Sequence, residues 1–195
     1  MKSRTPGRRA GVVCLACFLV SAVLVGMGTT FGALPQRIDV RQVSVGGEIG
    51  RRIDVTVKNN LLKINVDRDF LKPFRENSGG AYIGLGKLID SAVRFAAHTG
   101  DREVIRLKNH LVEETIETQE DDGYIGIKPP GQRMWKLWDM HEMAYLVIGL
   151  TSDYELFGEE RSLKAASALM DYLIRRWSAE PGRFNPHITV FMAVT

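Results

Sequence analysis

The fold is decided by residues 85–118, which read LGKLIDSAVRFAAHTGDREVIRLKNHLVEETIET. Apolar residues recur here every three or four positions, which is the spacing of one buried face of an α-helix. The pattern predicts one helix from about Leu85 to His98 and a second from about Arg102 to Thr118. Between them, Thr99-Gly100-Asp101 supplies a glycine that ends a helix and an acidic side chain that begins one. The stretch is therefore predicted to be a helical hairpin.

A second hairpin follows, because Gly158-Glu159 is a similar turn 58 residues after Gly100-Asp101. Its helices are predicted at about Leu137 to Phe157 and about Arg161 to Trp177. An earlier amphipathic helix is predicted after Gly46, with the apolar positions Ile49, Ile53, Val57, Leu61 and Ile64. Repeated hairpins predict an all-α protein, either a solenoid or part of a closed (α/α)6 toroid. Two and a half hairpins do not close a ring, so uncovered apolar faces are expected.

The N-terminus is predicted to be a leader rather than part of this fold. Four basic residues precede the uncharged run GVVCLACFLVSAVLVGMG from Gly11 to Gly28, and small residues follow. This order is typical of a secretory signal peptide over residues 1–33, which predicts export to the periplasm or the medium. A retained membrane anchor over residues 11–28 is the alternative. A linker over residues 34–45 would then lead into the helical part, residues 46–195.

Charge and cysteine content narrow the classes of function. Without the leader the chain has 22 basic and 23 acidic residues, so the basic pI of about 8.9 does not indicate nucleic-acid binding. The two cysteines, Cys14 and Cys17, both lie in the predicted leader. The mature part therefore has no disulfide, no cysteine nucleophile and no cysteine ligand for a metal, and we expect no cofactor in this chain.

The candidate site lies between Asp121 and Tyr145, in the stretch DDGYIGIKPPGQRMWKLWDMHEMAY. Aromatic rings, carboxylates and an imidazole are concentrated there at a loop-to-helix junction. Sugars present C–H faces that stack on aromatic rings and hydroxyls that pair with charged groups. Trp135 and Trp138 are expected to share one helix face close to Asp139. The candidate substrate-binding residues are Asp122, Tyr124, Trp138, His141 and Glu142.

Structural roles are the alternative for the same residues. His141 could be a structural histidine, and Asp139 and Glu142 could complement the positive end of a helix. The two tryptophans could belong to the core. A zinc peptidase of the H-E-x-x-H type is disfavoured, because the position of the second histidine holds Tyr145.

Five stretches together resemble the N-terminal part of a glycoside hydrolase family 127 protein, the family of bacterial β-L-arabinofuranosidases. They are GEIGRRIDVTVKNNLL from Gly47, RDFLKPFRE from Arg68, GGAYIGLGKLIDSAVRFAAHTGDREV from Gly79, QEDDGYIG from Gln119 and LWDMHEMAY from Leu137. The likeness runs from about Gly46 to the end of the chain and covers the first part of the family's domain.

The resemblance implies an (α/α)6 toroid that hydrolyses a non-reducing-end furanoside of plant-type glycans. It also implies a cysteine nucleophile on a zinc ion with Cys and Glu ligands, and a glutamate acid/base. Those positions are expected beyond Thr195, so this chain is expected to supply no catalytic residue and to be inactive alone. In the family the His-Glu helix lines the sugar pocket, which implies substrate contacts for His141 and Glu142. Many members have a second histidine where this chain has Ile148, which indicates a divergent branch.

Two other functions fit the same residues. One is a glycan-binding or lyase-like toroid that uses His141, Tyr124 and the carboxylates. The other is a helical-repeat interaction protein, against which the apolar tail from Ile188 to Val194 argues. For the glycoside hydrolase and for the glycan-binding toroid, the expected partner is a carbohydrate. No nucleic-acid partner is expected, and membrane contact is expected only through an uncleaved leader.

Overall fold

A computed structural model describes residues 38–79, 82–136 and 138–183. The predicted leader, residues 1–33, and the apolar tail after Arg183 lie outside these residues. Within the described ranges every regular element is a helix or a helical turn, which confirms the all-α class. None of the helices described is long and apolar enough to cross a membrane.

The described part of the chain contains six α-helices. They are α1 (Gly47–Asn59), α2 (Lys72–Arg75), α3 (Leu85–Thr99), α4 (Arg102–Glu117), α5 (Asp139–Phe157) and α6 (Glu160–Ala179). Short 3₁₀ turns occupy Val40–Gln42, Leu61–Lys63 and Pro130–Gln132, and a π turn occupies Asp67–Leu71.

The two predicted hairpins form as the turn residues indicate. Gly100 and Gly158 end α3 and α5 with φ angles of 61° and 73°, a left-handed conformation in which a side chain would be strained. Asp101 then begins α4, because its carboxylate accepts the amide of Glu103 at 2.7 Å. These turns place α3 beside α4 and α5 beside α6.

The hairpins join through α3 and α5, which form the largest helix–helix contact, and α6 covers another side of α5. The backbones of α3 and α5 approach closely at Gly86. A Cβ atom built on Gly86 would lie 2.2 Å from the carbonyl carbon of Tyr145. Two adjacent hairpins that pack through one buried helix are consistent with part of an α/α toroid.

The core runs along these contacts. Its members are mostly aliphatic residues of α3, α4, α5 and α6, joined by residues of the turn between α4 and α5. They include Leu85, Ile89, Ala92, Val93, Val104, Leu111, Ile125, Met134, Met143, Leu146, Leu150 and Leu169.

The first helix is shorter than predicted. It ends at Asn59, and Leu61 lies in a 3₁₀ turn while Ile64 follows it. Two consecutive asparagines, Asn59 and Asn60, favour a helix end because their amides compete for backbone hydrogen bonds. Leu61 is nevertheless buried. The apolar spacing therefore predicted correctly that Leu61 is a core residue, but wrongly that it belongs to the helix.

One buried ion pair was not predicted. Lys108 on α4 and Asp153 on α5 have side-chain exposures of 2% and 0%, and the ammonium lies 2.7 Å from the carboxylate. The hydroxyl of Ser162 donates to the other carboxylate oxygen at 2.6 Å. Periodicity alone assigns a lysine to the solvated face, and only the packing of α4 near α5 makes a partner available.

Candidate functional site

Four aromatic rings and a lysine meet where α3 and α5 begin. This aromatic cluster consists of Tyr82, Lys87, Trp138, His141 and Tyr145. The imidazole of His141 is central, with its ring centroid 4.6 Å from that of Tyr82, 5.3 Å from that of Trp138 and 5.0 Å from that of Tyr145. The first two contacts have interplanar angles of 77°, which is the edge-to-face geometry that aromatic pairs prefer.

Local sequence explains why one side of the cluster forms. Trp138, His141 and Tyr145 are three and four positions apart, so they lie on one face at the start of α5. Trp138 immediately precedes the helix and has a φ angle of 66°, which turns the chain into it. Tyr82 comes from the segment before α3, and Lys87 from the first turn of that helix.

The bottom of the cluster is buried, and its outer surface is accessible to solvent. His141 is 7% exposed, whereas Tyr82, Trp138 and Tyr145 are half-buried and Lys87 is exposed. The three half-buried rings therefore present apolar area to solvent around a buried imidazole. Such a surface can accept the C–H face of a sugar ring while the imidazole and hydroxyls offer polar groups.

Lys87 extends across this surface. Its Nζ lies 4.3 Å from the centroid of the Tyr145 ring and 5.1 Å from that of Tyr82. Both distances are within the range of cation–π attraction, so the two rings hold the ammonium group at the edge of the cluster.

The Glu142 carboxylate fixes the two halves of the cluster relative to each other. It is 2% exposed and accepts the amides of Ile83 and Gly84 at 2.9 Å each. These amides precede α3, whereas Glu142 belongs to the first turn of α5. The carboxylate thus caps a neighbouring helix and, by doing so, holds Tyr82 and Lys87 against the face of α5 that carries Trp138, His141 and Tyr145.

Burial shifts the ionisation of these groups. Burial raises the pKa of Glu142, and the amides of Gly84 and Ile83 oppose that shift. Burial lowers the pKa of His141, and the nearby charge of Lys87 lowers it further. The imidazole is therefore held neutral at pH 7, when it can both donate and accept a hydrogen bond.

A second polar network fixes the turn that leads into α5. The hydroxyl of Tyr124 donates to Asp139 at 2.8 Å and accepts the amide of Lys128 at 3.0 Å. Asp139 also accepts the amide of Met134 at 2.6 Å. Tyr124 is 0% exposed and Asp139 is 2% exposed, so this network is enclosed by protein. Burial raises the pKa of Asp139, although its hydrogen bonds counteract the shift.

Arg133 connects this network to the acidic turn. Its guanidinium lies 4.0 Å above the Tyr124 ring and 2.5 Å from the carboxylate of Glu120. It also lies 3.7 Å from Asp122, whose other oxygen accepts the amide of Tyr124 at 3.0 Å. Asp122 therefore shapes the turn.

Sequence comparison identifies the family. The family model described as Beta-L-arabinofuranosidase, GH127 catalytic domain, matches residues 68–185. The chain belongs to this GH127 family. No curated protein matches the chain.

The matched GH127 region includes α2 to α6 and all five residues of the aromatic cluster. The family identification therefore covers both hairpins and the contact between them. It confirms the resemblance found in the sequence, and it establishes a glycoside hydrolase-like domain.

The zinc implied by the GH127 resemblance does not fit the described residues. They contain no cysteine, and no three His, Asp or Glu side chains among them converge in a geometry that could hold a metal ion.

The five predicted binding residues fall into three groups. Trp138 and His141 belong to the aromatic cluster, while Glu142 lies directly behind it as the cap of α3. Asp122 and Tyr124 lie in the turn network, where their polar atoms bond to protein. Substrate contact by any of the five stays a prediction, and the geometry gives the last three a positioning role.

The expected pairing of Trp135 with Trp138 is wrong. Trp135 precedes α5 in an irregular turn, so the two side chains do not share a helix face. The indole of Trp135 instead contacts Trp177 at 5.6 Å and donates to Glu180 at 2.9 Å. Trp135 therefore attaches the turn to the end of α6.

Three residues of the cluster were missed in the sequence. Tyr145 lies four positions after His141, so helical spacing alone could have found it. Tyr82 and Lys87 lie more than 50 positions earlier in the chain, and only the contact of α3 with α5 brings them to His141.

Proposed function

We propose that this chain forms the sugar-binding part of a GH127 glycoside hydrolase, with the aromatic cluster as the binding surface. The single observation that carries the proposal is the convergence of three accessible rings on His141, in the region that matches the catalytic domain. Stacking on Tyr82, Trp138 and Tyr145 would supply affinity, and the imidazole would supply a directed hydrogen bond.

Glu142, Asp139 and Tyr124 act by positioning in this proposal. Their polar atoms bond to backbone amides and to each other, which fixes the start of α5 and the start of α3. A binding surface formed by two helix starts needs this support, because displacement of either helix would separate the rings.

We further propose that the chain binds a sugar without hydrolysing it. Retaining hydrolysis requires a nucleophile and an acid/base group on opposite sides of the reacting carbon. The resemblance implies a cysteine in the first role, and Cys14 and Cys17 are the two cysteines in the sequence, both in the predicted leader. The full domain would act on a non-reducing-end furanoside of a plant-type glycan.

Calorimetric titration with arabinose and with arabinose-containing oligosaccharides tests the binding. We expect saturable binding, weakened by about threefold to tenfold in Trp138→Ala, because one stacking contact is lost. Trp177→Ala is the matched control, since this tryptophan lies on α6 outside the cluster. Equal binding by wild type and Trp138→Ala would exclude the aromatic cluster as the site.

Release of p-nitrophenol from p-nitrophenyl β-L-arabinofuranoside tests the second proposal. We expect no release above the buffer rate. Turnover at rates typical of enzymes would show that this chain contains its own nucleophile and would refute the proposal. Binding without turnover also suits the glycan-binding alternative, and formation of an unsaturated product would indicate a lyase.

A further inference from the structure

Among the residues that the structure describes, the charge of Lys87 has no carboxylate partner. All 23 acidic residues of the chain lie in its described part, and no carboxylate side chain lies within salt-bridge distance of this ammonium group. The nearby Glu142 carboxylate is occupied by the amides of Ile83 and Gly84. The contacts of the Lys87 Nζ are with the ring faces of Tyr82 and Tyr145.

The position of this charge is determined by packing rather than by a salt bridge. Two ring faces contact the ammonium group, and the Lys87 side chain is otherwise exposed. An ammonium group strengthens its hydrogen bonds when the acceptor is an anion. The exposed edge of the cluster therefore favours a ligand that combines an apolar ring face with a negative charge.

A second polar group in the cluster has its hydrogen-bonding capacity unused. The Tyr82 hydroxyl is buried and has no hydrogen-bond partner among the described residues. Its ring lies under Lys87 and contacts His141. Buried polar groups without a partner are uncommon in proteins, so this hydroxyl marks the cluster as a candidate ligand site.

We propose that the aromatic cluster binds an acidic sugar, whose ring lies on Tyr82, Trp138 and Tyr145 and whose carboxylate pairs with Lys87. This inference rests on the proposed sugar-binding function and adds the chemical class of the ligand, a glycan residue of the uronate type. Lys87 is then the residue that determines specificity, while the rings supply affinity that neutral and acidic sugars share.

Calorimetric titration with matched sugar pairs tests the inference. The pairs are glucuronate with glucose and galacturonate with galactose, at equal ionic strength, because each pair differs in one carboxylate. We expect each uronate to bind about tenfold more tightly than its neutral partner, the effect of one charge-assisted hydrogen bond. The preference should decrease as salt is added, because the paired charges are partly exposed.

Lys87→Met provides the decisive variant, since it retains the aliphatic stem that lies on the rings and removes the charge. We expect it to lose the uronate preference, so that each uronate and its neutral partner bind with equal affinity. Lys164→Met, at an exposed position on α6, is the matched control and should behave as wild type. Circular dichroism of each variant confirms that the helices are retained.

The outcomes separate this inference from the proposed function. Equal affinity for both members of each pair, or a uronate preference that persists in Lys87→Met, overturns the acidic-sugar inference and leaves sugar binding in place. Absence of binding by every sugar overturns both.

Discussion

At the scale of single residues, the position of Glu142 explains how a site is formed from two distant segments. Its carboxylate belongs to α5 but serves the amides before α3. The sequence allowed a substrate contact or a cap for the residue's own helix. In the structure it caps a different helix. The sequence therefore predicted that the carboxylate could cap a helix, but not which helix it would cap.

Replacement of the Glu142 carboxylate by an amide should destabilise the fold. In Glu142→Gln the amide group keeps one acceptor and brings two N–H donors towards the donors of Ile83 and Gly84. We expect the free energy of unfolding to decrease by about 1–3 kcal/mol, the range for a buried hydrogen bond to a charged group. Urea denaturation measures it, with Glu113→Gln on the exposed face of α4 as control. Equal losses in both variants would contradict the capping role.

The depressed pKa of His141 predicts a pH dependence of stability. Because the folded-state pKa lies below the ordinary value of 6.5, the unfolded chain takes up this proton first as the pH falls. The contribution of His141 to stability is therefore fully present above about pH 6.5 and is lost as the pH falls through the folded-state value. NMR titration of the His141 ring protons should give a pKa below 6.5.

Other titratable or charged groups near His141 also influence the pH dependence of stability, and their contributions must be distinguished from that of His141. Lys87 is the second cause of the shift, so Lys87→Met should raise the pKa of His141. Asp139 and Glu142 have raised pKa values and act in the opposite direction, since their folded forms take up protons first. His141→Gln should abolish the loss of stability just below pH 6.5. An unchanged pH profile in that variant would refute the assignment.

At the scale of elements, the contact of α3 with α5 decides whether the aromatic cluster exists. This contact is close because Gly86 and Gly149 present no side chain to the facing helix. A Cβ atom on Gly149 would lie 2.8 Å from the carbonyl oxygen of Gly86, so neither position has room for one. The approach places Tyr82 and Lys87, which flank Gly86, beside Tyr145.

Gly86→Ala should therefore be destabilising, although alanine is the better helix former. Its Cβ would lie 2.2 Å from the Tyr145 backbone, and α3 would have to move away from α5. We expect the free energy of unfolding to decrease by about 1–3 kcal/mol, as for other overpacked cores. Thermal denaturation measures the loss of stability, and sugar titration measures the effect of the displaced α3 on the aromatic cluster. Ser91→Ala on the exposed face of α3 is the control, and a stabilised Gly86→Ala protein would disprove the close contact.

The buried pair of Lys108 and Asp153 shows the same dependence on helix packing. Each residue alone would be assigned to a solvated surface, because isolated buried charges are costly. The pair is tolerated because the ammonium, the carboxylate and the hydroxyl of Ser162 satisfy one another. It links α4, α5 and the start of α6 with polar contacts that a hydrophobic pattern does not reveal.

At the scale of the whole molecule, apolar surface remains exposed on α6. Ile174 and Trp177 are 55% and 43% exposed. They line, with Met134, Met140 and Leu173, an apolar depression of about 230 Å³. Ile174 and Trp177 are thus the exposed part of this depression on α6.

The leader that the sequence predicts over residues 1–33 carries a prediction about where the protein is found. We expect export and cleavage after about residue 33, so the mature chain should begin near Leu34. N-terminal sequencing and mass spectrometry of the periplasmic fraction measure this. Leu19→Arg, which places a charge within the apolar run, should keep the full-length chain in the cytoplasm. A full-length wild-type chain in the membrane fraction would favour the anchor instead.

Sequence spacing grouped those members of the aromatic cluster that are close together in the chain. Trp138 and His141 were identified from their position at a loop-to-helix junction, and both lie in the aromatic cluster. Trp135 was assigned to the same face because helical spacing was expected to apply already to the residues that enter the helix. Its actual partners, Trp177 and Glu180, are more than 40 positions away and could not be inferred from spacing.

The sequence by itself determined the helices, their hairpin turns and the family, because these depend on residue types at short, regular spacings. The tertiary structure alone decided which helix starts face each other, and therefore that Tyr82 and Lys87 join His141 while Glu142 caps α3. The physical reason is that a helix pattern specifies an apolar face but not its partner. Partner helices are selected by close packing at positions such as Gly86. This packing acts between residues that are far apart in the chain.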